Sequence, residues 1–163
     1  MKKIGVISDT HVPRKSPAVP AAALKVFSGV DLILHAGDLE VMSVLDELEA
    51  VAPVKAVCGN MDVFRGEGLL PDRLVVEVEG CRIGLTHGWG APDGLEERAL
   101  QSFAKDNVRA VVFGHTHLTC NEWRGGALLF NPGTPTDKRF SQFLSVGILT
   151  VDGGAVSGRI IRL

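Results

Sequence analysis

The chain has 163 residues, 45% of them apolar, and a net charge of −2; its mean hydropathy is +0.20 and its pI is near 6.2. Those values describe one domain that buries roughly two-thirds of its unfolded surface and exclude a disordered or fibrous chain. They give no basic footprint for nucleic acid or an anionic membrane, and no apolar run approaches the roughly 20 residues of a bilayer span.

The N-terminus is basic and then apolar, but too short in its apolar part for a signal peptide. It reads as a first strand over residues 4–7 that runs directly into Ser8-Asp9-Thr10-His11. A stiff stretch with Pro13, Pro17 and Pro20 leads to a helical pattern over residues 19–27. A second strand over 32–34 delivers Gly37-Asp38, and a helix comes next over 41–48. A third strand over 54–57 delivers Gly59-Asn60-Met61-Asp62. These runs are short, β-branched and non-alternating, as in strands buried on both faces.

Residues 74–78 and 81–86 form a hairpin across Glu79-Gly80 that leads into Thr86-His87-Gly88. Residues 94–105 place Leu95, Ala99, Leu100 and Phe103 on one helical stripe. A strand over 110–113 then delivers Gly114-His115-Thr116-His117. Two hairpins close the chain: 119–123 with 127–130, turning at 124–126, and 143–151 with 155–161, turning at 152–154. The alternation of strands and helices, with hairpins after it, predicts an α/β fold of two packed, partly antiparallel sheets with helices outside.

Open α/β sheets bind ligands beyond the carboxyl ends of their strands. Asp9, Asp38, Asn60 and His115 each come directly after a strand, so they are expected at one sheet edge. Four of the five histidines (His11, His87, His115, His117) lie in these segments. If the backbone is extended there, Asp9 and His11 point to one side, as do His115 and His117. Mixed nitrogen and oxygen donors without thiolate suit manganese, iron or zinc. The donor count is enough for two divalent cations, with Asp38 the candidate bridge. Three widely spaced cysteines (Cys58, Cys81, Cys120) read as reduced, buried thiols of a cytoplasmic protein.

Asp-x-His, Gly-Asp, Gly-Asn-x-Asp, His-Gly and Gly-His-Thr-His, in that order, resemble the calcineurin-like metallophosphoesterase superfamily. The Ser8-Asp9-Thr10-His11-Val12-Pro13 start and the small size resemble its compact YfcE-like phosphodiesterase branch. The likeness covers nearly the whole chain, which is taken as a single domain, 1–163. It implies a four-layer αββα sandwich of two mixed β-sheets flanked by helices. It also implies one cation on Asp9, His11, Asp38 and His117, and another on Asp38, Asn60, His87 and His115. Asp38, Asn60 and His87 are given direct catalytic roles. The implied reaction is hydrolysis of a small phosphodiester or phosphomonoester by a metal-bridging hydroxide. The implied metal is manganese, with nickel, zinc, iron and magnesium as alternatives. Where much of the superfamily has histidine after the Asn, this chain has Met61, which cannot protonate a leaving group.

Around this set, Arg14, Arg139 and Asn131 are candidate substrate contacts. His35 reads as a structural histidine behind the site. Asp62 either orients the Asn60 loop or caps the next segment. The alternative function is that of a protein-interaction scaffold like the retromer subunit Vps29, which resembles this branch. A dinucleotide-binding module is disfavoured, because no Gly-x-Gly-x-x-Gly comes after the first strand. Native metal, physiological substrate and homo-oligomeric state are not fixed by the residues.

Overall fold

A computed structural model describes residues 1–163. The β-branched runs form β1 (Lys2–Ile7), β2 (Leu32–His35) and β3 (Val54–Ala56), separated by α1 (Ala21–Val26) and α2 (Ser43–Glu49). The hairpin forms β4 (Arg73–Val78) and β5 (Cys81–Thr86), and then come α3 (Leu95–Gln101) and β6 (Ala110–Val112). Two more hairpins, β7 (Thr119–Arg124) with β8 (Ala127–Pro132) and β9 (Ser145–Asp152) with β10 (Ala155–Arg162), complete the chain. All three helices are shorter than their apolar patterns, which continue into turns. Pro20 precedes α1, and a left-handed Gly94 precedes α3. No helix is long and apolar enough to cross a membrane.

The strands make two five-stranded mixed sheets, ordered β10-β9-β1-β2-β3 and β4-β5-β6-β8-β7. Parallel pairing of β1, β2 and β3 in one sheet, and of β5, β6 and β8 in the other, points their carboxyl ends the same way. Between the sheets, Ile4, Val6 and Leu34 of one meet Ile83, Leu85, Val112 and Phe130 of the other. Ala23 and Phe27 near α1, with Val44 and Leu48 of α2, cover the outer face of the first sheet against Ile7 and Ile33. Leu95 and Ala99 of α3, with Phe103, cover the second against Val111 and Leu129. The order is helix, sheet, sheet, helix, as the sequence predicts. Burying any one of these large side chains contributes about 1.5–3 kcal/mol.

Two hairpin turns are tighter than the sequence reading. Arg124 pairs with Ala127, and Asp152 with Ala155. The loops are therefore the two-residue Gly125-Gly126 and Gly153-Gly154, all at positive φ, which matches the twist of a hairpin. β9 begins at Ser145 rather than 143.

Candidate metal centre

The expected exits do lie at one edge, but their backbone is not extended. Asp9 (φ 55°), His11 (46°), Asp38 (57°), Glu40 (75°), His115 (72°) and His117 (62°) are all left-handed. The extended reading is therefore wrong here: alternate residues are brought to one side by repeated left-handed kinks. Such conformations cost on the order of 1 kcal/mol each outside glycine, and their concentration at one edge marks it as a functional site. The β1 and β2 exits stay bonded to one another, Asp9 N to Gly37 O at 3.0 Å and His11 N to Asp38 O at 3.1 Å.

Two glycines make the assembly possible. A Cβ on Gly59 would lie 2.2 Å from Asp38 Oδ1, and one on Gly114 would lie 2.0 Å from Ser8 Oγ and 2.7 Å from Asp9 Oδ2. Nothing larger than glycine fits at either position without moving an acidic loop.

Each carboxylate has one oxygen held by the chain and the other turned to the centre. Asp9 Oδ2 accepts from Ser8 Oγ at 2.6 Å and from His115 N at 3.1 Å. Its Oδ1 is buried without a hydrogen bond, 3.2 Å from His117 Nε2. Asp38 Oδ1 accepts from Met61 N at 2.7 Å. Its Oδ2 lies 3.2 Å from His87 Nε2 and 3.8 Å from His11 Nε2.

The histidine protons are set from behind. Carbonyl and carboxylate oxygens only accept, so the ring nitrogen facing one carries the hydrogen. His87 Nδ1 donates to Ala36 O at 2.7 Å and His115 Nε2 to Gly90 O at 2.9 Å, while His11 Nδ1 lies between Glu40 Oε1 at 2.7 Å and Arg14 Nη2 at 3.0 Å. In the neutral rings of His87 and His115, the opposite nitrogens are lone pairs aimed inward. His87 Nε2 and His115 Nδ1 then face Asn60 Oδ1 at 3.1 and 3.0 Å, and His11 Nε2 faces His117 Nε2 at 3.2 Å. Converging lone pairs repel unless a cation or a proton lies among them. The donors fall into overlapping sets, Asp9 with His11 and His117, and Asp9 with Asp38 and His87, each within 4.8 Å. This donor chemistry fits divalent cations.

The titration of the site obeys the same geometry. Burial works against a charged His87, but the Asp38 and Asp9 carboxylates outweigh it and raise its pKa to about 9. Burial likewise opposes ionised Asp38, yet its hydrogen bond and charge interaction with His87 hold the carboxyl below its ordinary range.

Among the surrounding residues, His35 is fully buried, accepts Gly37 N at Nδ1 (3.1 Å) and lies 3.1 Å from Thr10 Oγ1. Burial lowers its pKa to about 3, so it is a neutral strut behind the site. Asp62 accepts Glu40 N at 2.7 Å and Gly59 N at 2.6 Å. It therefore ties the Asp38 loop to the Asn60 loop and caps no helix. Asn131 is fully buried, donates to Gly114 O and Thr116 Oγ1 and accepts Gly133 N. Its amide is engaged in holding the His115 loop. Arg14 is held by Glu40, and Arg139 is bonded through two nitrogens to Asp137. The cysteines are free; Cys58 and Cys81 are buried and Cys120 partly so.

The sequence reading missed three residues. Glu40 stands behind His11. Asp137, buried, holds Arg139 and lies 3.6 Å from His117 Nδ1. Phe140, 61% exposed, sets its ring edge-on to His117 at 5.6 Å. Glu40 was within reach, two residues beyond Asp38 with the spacing of Asp9 and His11. Asp137 and Phe140 lie in an irregular loop with no periodic signal.

The chain belongs to the calcineurin-like phosphoesterase superfamily, whose domain it matches over residues 1–154. It is 40% identical over 159 residues to a probable metallophosphoesterase of Methanothermobacter thermautotrophicus, covering 98% of this chain and 91% of that one. Among solved structures, it resembles an archaeal phosphodiesterase at 28% identity and a TM-score of 0.77, over 99% of both chains. It also resembles Vps29 of Entamoeba histolytica complexed with zinc, at 26% identity and a TM-score of 0.74, over 98% of both chains.

Proposed function

We propose that this chain is a phosphodiesterase working with two divalent cations, manganese foremost, in the cytoplasm, as a single domain over residues 1–163. The observation that carries the reading is the convergence of imidazole nitrogens and carboxylate oxygens on one edge, within 4.8 Å of one another in each set. Asp9, His11, Asp38 and His117 would hold one cation; Asp38, Asn60, His87 and His115 would hold the other. When bound, such a pair polarises a phosphoryl oxygen and makes water nucleophilic at neutral pH.

The chain's own part is orientation. Ala36 O and Gly90 O keep the ring protons of His87 and His115 away from the centre, so two lone pairs are ready without a tautomer change. Met61 N and the Ser8 hydroxyl turn one oxygen of Asp38 and of Asp9 inward. The Met61 side chain has no proton to give to a departing alkoxide. Activated aryl diesters are therefore the favoured substrates, and simple alkyl phosphates poor ones. Hydrolysis of bis(p-nitrophenyl) phosphate by stripped protein after manganese, nickel, zinc or magnesium is restored tests this. Turnover lost in Asp38→Asn supports it, and turnover that needs no metal contradicts it.

A second reading is a Vps29-like interaction scaffold. It draws on the exposed apolar side chains beside the site, Met61, Leu118 and Phe140. A scaffold would bind metal yet hydrolyse neither diester class.

A further inference from the structure

The geometry points to a substrate subsite beside His87 that takes an aromatic ester group bearing a second negative charge, as a 3′-phosphorylated nucleoside does. This rests on the phosphodiesterase reading and names the substrate class of that site.

A cleft of about 290 Å3 opens between the Asn60 loop and the β5 exit, with His87, Trp89, Arg65, Asp72 and Arg73 in its wall. His87 is the link: its Nε2 faces Asp38 and Asn60 on the metal side, and the same residue borders the cleft. Trp89 also precedes Gly90, whose carbonyl accepts from His115 Nε2 at 2.9 Å, so the cleft wall adjoins the centre, and the proposed subsite lays one ester substituent of a phosphorus held there against it. The volume is at the small end for a ligand pocket, so it suits part of a substrate, about the size of a nucleoside.

The wall also selects chemistry. Trp89 is 53% exposed, an open indole face on a surface where large aromatics are normally covered, and it offers a stacking partner to a base. Arg73 is committed to Asp106 and to the Phe103 ring, 4.5 Å away. Arg65 is paired only loosely: it lies 3.8 Å from Asp72, with half of the Arg65 side chain and most of the Asp72 side chain in water. A loosely paired cation beside an indole, with Asp72 the one acid in the wall, favours an aromatic anion over a neutral lipid.

The test uses three p-nitrophenyl phosphodiesters that differ only in the retained ester group: methyl, thymidine-5′, and thymidine-5′ carrying a 3′-phosphate. In each, water adds to phosphorus, the bond to p-nitrophenolate breaks, and the retained group stays on the phosphate. With manganese-loaded full-length protein, thymidine should raise kcat/KM over methyl about tenfold, and the 3′-phosphate should add about threefold more. Trp89→Ala should bring the thymidine-to-methyl ratio close to one, and Arg65→Ala should remove the 3′-phosphate step alone. Equal rates for the three esters, or ratios that survive both substitutions, overturn the subsite. If no ester turns over with any metal, the phosphodiesterase reading fails. The subsite is then decided by fluorescence of the Trp123→Phe chain, in which Trp89 is the sole indole. Quenching by thymidine 3′,5′-bisphosphate that Arg65→Ala weakens supports it, and no quenching overturns it.

Discussion

The two halves of the candidate centre are built differently. Asp9, His11 and His117 are buried, and a carboxylate lies near each of the two histidines: Glu40 at 2.7 Å from His11 Nδ1, and Asp137 at 3.6 Å from His117 Nδ1, beyond hydrogen-bond range. Those carboxylates are in turn held by Arg14 and Arg139. Around Asn60, His87 and His115 the backing groups are main-chain carbonyls, Ala36 O and Gly90 O, while Asn60 is exposed and His115 half-buried. A carboxylate behind a ring raises its basicity more than a carbonyl does. The first half is therefore a closed, strongly donating pocket, and the second a more open one that faces the cleft and Trp89. Under the two-cation proposal, a site divided in this way would hold one cation firmly and present the other to substrate.

The largest effect belongs to Asp38, the proposed bridge. Asp38→Asn should lower diester turnover on the order of a thousandfold, because it withdraws charge from both positions at once; a fall of less than tenfold would remove Asp38 from the role of bridge. Next come the carboxylates behind the first half. Glu40→Gln and Asp137→Asn should each weaken the tighter of two binding steps about 10- to 100-fold, leaving the weaker step within threefold in a calorimetric titration. Equal weakening of both steps would mean that the halves are not distinct. Met61→His, in the open half, should raise the rate on alkyl relative to aryl diesters about tenfold or more, and an unchanged ratio would exclude this position from leaving-group chemistry.

The smallest effect concerns acid stability behind the site. His35 has its pKa lowered to about 3 by burial, so the folded state holds it neutral while the unfolded chain protonates it near 6.5. Its contribution is present above pH 6.5 and lost as pH falls from there toward 3. A ring nitrogen NMR titration should find His35 neutral at pH 4.5, and a charged ring at that pH would contradict the burial argument.

Much of this was legible in the sequence, for a physical reason. Short β-branched runs, helical stripes and glycine-bearing turns are local signals, and they placed the strands, helices and hairpins to within a few residues. The strand exits were legible too, because a parallel sheet puts them on one edge. The left-handed kinks at Asp9, His11, His115 and His117 were not legible, since spacing alone cannot separate an extended pair from a kinked one. Nor was Asp137, whose approach to His117 depends on how the loop after β8 folds back across the first sheet. Asp62 could be read as a cap or a tie until Glu40 N and Gly59 N were seen on its two oxygens.

The most direct measurement is the number of manganese ions bound per chain at saturation, taken together with bis(p-nitrophenyl) phosphate turnover as each ion is added. The account predicts two ions, the first bound with little activity and the second bringing turnover. A single ion at saturation, or full turnover after the first, would contradict it.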